Sequence, residues 1–144
     1  MEDKMTNIEK ALELIITFVT GDKEKAASLL NENYIQHNLS YKTGRDAFVG
    51  SVKYLSTLPV KTTVRNIRSF SDKDKVFLQT VYNFGGSGDQ VAFDVFRFDD
   101  NGLISEHWDN ISPLSLPNPS GHTQIDGSLE GPFAVSSGLK YKKR

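Results

Sequence analysis

Apolar residues fall at positions 8, 11, 12, 15, 16, 18 and 19, the spacing of a helix with one buried stripe. Thr6-Asn7-Ile8-Glu9 just ahead reads as a capping box, and Gly21 as the stop. Asp22 is placed to cap a second short helix through Leu30, with Ala26, Ala27, Leu29 and Leu30 inward. Tyr34-Ile35-Gln36-His37-Asn38 reads as a short extended piece. Thr43 then caps a third helix from Gly44 to about Leu58, with Ala47, Phe48, Val52 and Leu55 on one side and Pro59 ending it. Beyond Lys61 the period changes to two. Lys61 to Phe70 alternates, Ser71-Asp72-Lys73-Asp74 turns, and Val76 to Phe84 follows with Val76, Leu78, Thr80, Tyr82 and Phe84 on one face. Gly85-Gly86-Ser87-Gly88 is a flexible turn into a final hairpin.

That hairpin, Val91 to Asp109 around Asn101-Gly102, carries the most information. Asn-Gly between two hydrophobic runs favours a two-residue loop, which pairs Asp100 with Leu103, Phe98 with Ser105, Arg97 with Glu106, Phe96 with His107 and Asp94 with Asp109. One face then holds Val91, Phe93, Val95 and Arg97 beside Ile104, Glu106 and Trp108. The other holds Ala92, Asp94, Phe96 and Phe98 beside Ser105, His107, Asp109 and Ile111. An apolar surface set with two carboxylates and an imidazole suits a pocket wall better than a dry core. The alternative is a three-residue Asp100-Asn101-Gly102 loop with a bulge, which slips the register by one and swaps in Glu106 and Trp108.

Helices first and four consecutive antiparallel strands after them make an α+β chain, its curved meander able to wrap the helices. After Ser112-Pro113 periodicity is lost, and the Pro- and Gly-marked stretch predicts an extended tail lying on the body or on a partner. Residues 1–112 are expected to form one domain, extended by the tail 113–144. Seventeen Lys and Arg against eighteen Asp and Glu give no steering toward nucleic acid or an anionic membrane. The cluster Lys140-Tyr141-Lys142-Lys143-Arg144 reads as a solvated tail. With no cysteine there is no disulfide or thiol chemistry. No apolar run is long enough to span a bilayer, and Met1-Glu2-Asp3-Lys4 lacks the basic start of a signal peptide; a cytoplasmic protein is expected.

Four groups carry the candidate chemistry. Asp94 lies between Ala92 and Phe96 on the apolar face. Burial disfavours a charged carboxylate, and a neutral acid can donate to a carbonyl or enolate oxygen; the alternative is a structural aspartate satisfied by Trp108 or a backbone amide. Asp109 opposite can complete an acid and base pair, or simply end its strand in solvent. His107 and His37 are the imidazoles outside the tail and suit general base chemistry near neutral pH, though a histidine on a half-buried strand also serves as a hydrogen-bonded spacer. Two His with Asp109 fit no known metal spacing, so no metal is expected. Gly85 to Gly88 precedes no helix and is no phosphate cradle, so no cofactor is expected either. Phe18, Tyr34 and Phe48 are pocket or core lining, and Asn38 and Phe96 count with them as ligand contacts. Trp108, Phe93 and Val95 form the opposite apolar face, most simply a homodimer interface.

The order of elements resembles the NTF2-like superfamily and its SnoaL-like proteins. The resemblance is carried by Tyr34-Ile35-Gln36-His37-Asn38, Gly44 opening a helix, Phe93 to Phe98, Asn101-Gly102, Glu106-His107-Trp108-Asp109 and the tail Asn118 to Gly127. It implies a cystatin-like cone, three N-terminal helices packed in the concave face of a strongly curved antiparallel sheet. Asp94 resembles the protonated aspartate that donates to the oxyanion in ketosteroid isomerases, and Asp109 the water-activating aspartate of limonene-type epoxide hydrolases. Two departures stand beside this. His37-Asn38 replaces the isomerase's proton-shuttling aspartate, and Leu78-Gln79-Thr80-Val81 lacks the hydrolase's arginine-x-aspartate pair. Two functions are expected. One is a cofactor-independent isomerase or cyclase type enzyme, or a binder derived from one, that moves a proton next to the carbonyl of a small apolar or aromatic ligand. Asp109 or His37 would be its base, with Asp94 and His107 stabilising the oxyanion. The other is a non-catalytic dimeric ligand-binding or interaction module.

Overall fold

Thr6 and Glu9 exchange side chain to backbone bonds of 3.1 Å each and open α1, Asn7–Thr20, which Gly21 closes with its N–H on the Thr17 carbonyl. A computed structural model describes residues 4–115 and 117–135; the basic run at 140–144 lies outside the described residues. Asp22 caps α2, Lys23–Leu29, through the Lys25 amide at 3.0 Å. The chain turns extended at once into β1, Leu30–Gln36, longer than the short piece expected around Tyr34. α3 is Arg45–Ser56. Then come β2, Thr63–Asp72, β3, Lys75–Asn83, β4, Gln90–Phe98, and β5, Ile104–Pro113.

Thr43 does not cap α3. Gly44 holds the cap position with no side-chain bond, while Thr43 Oγ1 accepts from the Gln36 amide at 3.0 Å and donates to the Tyr34 carbonyl at 3.2 Å. The residue read as a helix start instead staples the following loop onto β1.

The strand order is β1-β5-β4-β3-β2. The four strands β2 to β5 are antiparallel neighbours, but β1 runs parallel to β5, pairing Ile35 with Glu106 and Gln36 with His107. The sheet is therefore mixed, not wholly antiparallel, because β1 is a strand that takes the free edge of β5. It stays open and is not strongly curled. The β4–β5 turn combines the two expected registers. Gly102, at φ +78°, bonds its N–H to the Asp99 carbonyl, and Asp99 bonds Leu103, so the loop is the three-residue one. Phe98 then pairs with Ile104, not Ser105. A second irregularity after Arg97 absorbs Ser105 and restores Arg97 opposite Glu106, Phe96 opposite His107 and Asp94 opposite Asp109.

The core joins Leu12, Ile15, Val52, Leu78, Phe96 and Ile104 between the helices and one face of the sheet. α1 packs on β2 and β3, and α3 on β1 and the other two helices. The tail lies on the body. It runs along the open side of β2, where Asn66 donates to the Ala134 carbonyl at 2.8 Å and Ser69 to that of Glu130 at 2.9 Å. Ala134 is fully buried, and the tail satisfies amides that an edge strand would leave bare. No helix among the described residues is long and apolar enough to cross a membrane.

Candidate active site

Between α1, α3 and the inner face of β3 to β5 lies a cavity of about 620 Å³. Period two on β4 and β5 turns Ala92, Asp94 and Phe96 and, across from them, His107 and Asp109 into it. Its wall is aromatic: Phe18 sits 5.1 Å from Phe48 and 5.7 Å from Phe84, which stacks on Tyr82 at 5.0 Å.

The polar groups converge at one place. Asp94, only 4% exposed, meets His107 Nε2 through Oδ1 at 2.8 Å and accepts from the Tyr82 hydroxyl through Oδ2 at 2.7 Å. His107, 7% exposed, has its Nδ1 2.8 Å from Gln36 Oε1, and Phe96 stacks on its ring at 4.6 Å. Gln36 Oε1 also accepts the Asn38 backbone N–H at 3.0 Å, and its Nε2 donates to the Tyr34 hydroxyl at 3.1 Å. Asp109 Oδ2 accepts from Asn38 Nδ2 at 3.0 Å and lies 3.9 Å from His107 Nε2. Burial pushes the Tyr82 hydroxyl well above the ordinary range, so it stays a donor to Asp94. Burial likewise raises the Tyr34 hydroxyl.

Asp94, His107, Asp109, Asn38, Phe18, Phe48 and Phe96 thus share one cavity. His37 does not join them. It follows Gln36 on the β1 edge, so strand alternation sends it to the outer face, where its Nε2 meets Glu106 Oε2 at 2.6 Å and its ring stacks on Trp108 at 5.0 Å. Tyr34 is 1% exposed and stands behind Gln36, not on the cavity wall. Two groups that reasoning from sequence passed over, Gln36 and Tyr82, complete the network. The alternation that places Tyr34 and Asn38 inward already places Gln36 between them, while the diagonal reach of Tyr82 to Asp94 leaves no mark in sequence.

Asp94, His107 and Asp109 each offer a ligand atom, all within 4.8 Å of one another, the donor types and spacing a single divalent cation would accept. The hydrogen bonds they make with one another and with Tyr82, Gln36 and Asn38 already account for their positions. In chemical terms the site joins a carboxylate held by a neutral amide to a carboxyl–imidazole pair, beside an apolar wall. That is the equipment of acid and base proton transfer.

No protein-family model matches the chain, and no curated protein matches it in sequence. Solved structures do match. An NTF2-like protein of unknown function from Cytophaga hutchinsonii ATCC 33406 is 19% identical, over 78% of this chain and 96% of that one, with a TM-score of 0.65. A candidate ketosteroid isomerase from Kribbella flavida DSM 17836 is 19% identical over 78% and 82%, with a TM-score of 0.62. A candidate polyketide cyclase from Bacillus cereus ATCC 10987 is 19% identical over 72% and 72%, with a TM-score of 0.60. At such identities the likeness is one of architecture. The chain has the NTF2-like fold.

Proposed function

We propose that this protein is a cofactor-independent acid/base catalyst that moves a proton next to the carbonyl of a small apolar or aromatic ligand, as an isomerase or an aldol-type cyclase. The reading is carried by the convergence of Asp94, His107 and Asp109 in one aromatic-walled cavity. Asp109 is the base. Its carboxylate accepts from the neutral Asn38 amide and has no Lys or Arg partner among the described residues, so it is free to take a proton from the carbon beside the carbonyl. The electrons of that C–H bond move into the carbonyl, and the oxygen that becomes negative is met by the proton of the Asp94–His107 pair. Return of the proton from Asp109 to another carbon completes an isomerisation. Attack of the enolate carbon on a second carbonyl, whose new alkoxide takes back the proton held by Asp109, completes a cyclisation. His37 has no part in this, since its side chain lies on the other face.

A crystal soaked with an aryl-fused cyclic ketone such as β-tetralone tests the pose. The ketone oxygen is expected within hydrogen-bond reach of His107 Nε2 or Asp94, and the adjacent carbon facing Asp109. A ketone that enters the cavity with its oxygen turned away from both would overturn the assignment.

The second reading, a dimeric ligand-binding or interaction module, draws on the outer face. Phe70, Phe77, Val95 and Trp108 form a row across four strands, and Phe93 beside them is 59% exposed. A second copy of the chain seated there would cover this apolar surface under either reading.

A further inference from the structure

We infer that Gln36 is a positioning residue that fixes the proton of His107 on Nδ1, so that His107 and Asp94 hold one proton between Nε2 and Oδ1. A backbone amide fixes the first contact. The Asn38 N–H can only donate, so the side-chain atom of Gln36 that it meets at 3.0 Å is the carbonyl oxygen. The amide nitrogen is thereby turned to the Tyr34 hydroxyl at 3.1 Å. With Oε1 settled as an acceptor, the ring nitrogen 2.8 Å from it must carry a hydrogen, and that nitrogen is His107 Nδ1.

The opposite nitrogen follows. Nε2 stands 2.8 Å from Asp94 Oδ1, a distance that requires one hydrogen between them. A neutral imidazole already protonated on Nδ1 has only a lone pair at Nε2, so the hydrogen then belongs to Asp94. If it moves to Nε2, Oδ1 keeps the electron pair of its broken O–H bond, and the pair becomes carboxylate and imidazolium. Both forms carry the same net charge. The Tyr82 hydroxyl, donating to Oδ2 at 2.7 Å, fits either one. The Gln36 backbone is itself pinned, its N–H on Thr43 Oγ1 at 3.0 Å, so the amide that sets the tautomer sits on a fixed strand and not on a loose loop.

Without Gln36 the neutral ring is free to place its hydrogen on Nε2 and donate to an ionised Asp94, as buried histidines beside carboxylates commonly do. Asp94 would then have no proton to offer. The bearing of Gln36 on chemistry rests on the acid/base reading above, whereas the position of the proton does not.

The test is therefore made on the ligand-free full chain. Long-range proton–nitrogen correlation spectra, with His107 assigned through His107→Gln, are expected to show a protonated Nδ1 in the wild type. Gln36→Leu is expected to shift Nδ1 to the unprotonated range. Gln36→Glu, which still offers an oxygen to the Asn38 amide and to the ring, is expected to restore the protonated Nδ1. An unprotonated Nδ1 in the wild type overturns the inference, and so does a Gln36→Leu spectrum that keeps it protonated. Should Gln36→Leu fail to fold, the wild-type and Gln36→Glu spectra decide alone. Where turnover of a ketone is measurable, Gln36→Leu lowers kcat by about 10-fold or more with KM little changed. A protein with the expected spectra and no turnover removes the catalytic reading and leaves the tautomer assignment standing.

Discussion

On the outer face, Glu106 is held from two sides, by His37 Nε2 at 2.6 Å and by Arg97 Nε at 2.9 Å. The bond to His37, and after it the bond to Arg97, hold the carboxyl below its ordinary value of 4.5. A carboxylate whose folded pKa is depressed adds stability that is complete above its unfolded value and disappears as the pH falls through the folded one. The wild type is therefore expected to exceed Glu106→Gln in urea midpoint at neutral pH, and the gap to close as the solution is taken below the carboxylate range. A gap that does not change with pH would show that the ion pairs contribute nothing. The same neighbourhood shows what could be read from single residues. His37 and Asn38 are adjacent, and period two alone sends them to opposite faces. His37 was nevertheless expected beside Asn38 as a base, and its place against Glu106 on the outer face removes it from the site. The bond of Gln36 to His107 was not, because it depends on β1 lying beside β5, 71 residues away.

Among the elements, the capped starts of α1 and α2 and the alternating strands were legible because each signal is local, whereas the cap expected of Thr43 on α3 is absent. Thr6 and Glu9 meet within one turn, and Val76 to Phe84 alternates whatever its partners. The parallel pairing of β1 with β5 is not local: the strand has no turn to its partner, and nothing in its residues specifies which edge it joins. The β4–β5 turn lies between these cases. Asn101-Gly102 announced a hairpin, while two compensating irregularities decided its register, so Asp94 faces Asp109 even though the loop is a residue longer than a two-residue turn. The tail makes an element-level prediction. Gly131 has φ +71°, and a Cβ there would stand 2.5 Å from the Ser69 carbonyl oxygen. Gly131→Ala is expected to lift the tail from β2 and cost more than about 1 kcal/mol. The Ser69 and Asn66 amides, which bond tail carbonyls, would lose protection in hydrogen exchange. Retained protection at both amides would mean that the tail does not depend on this close approach.

For the whole molecule, one sheet face is given to the helices and the cavity, and the other keeps Phe93 exposed beside Val95 and Trp108. A second copy of the chain on that outer face predicts a dimer in solution, and Phe93→Glu is expected to yield monomers by light scattering. A dimer that survives the substitution has its interface elsewhere. Base chemistry in the cavity is what would make this protein a catalyst. The most direct measurement is deuterium uptake from heavy water at the carbon beside the carbonyl of β-tetralone, followed by proton NMR. The wild type is expected to accelerate uptake over buffer. Asp109→Asn, which removes the base, should lose about 100-fold or more of that rate, and Asp94→Asn, which keeps shape and a donor, should lose less. Equal uptake in wild type and Asp109→Asn would contradict the assignment, and a ketone that binds without any uptake would leave the protein a binder and not an enzyme.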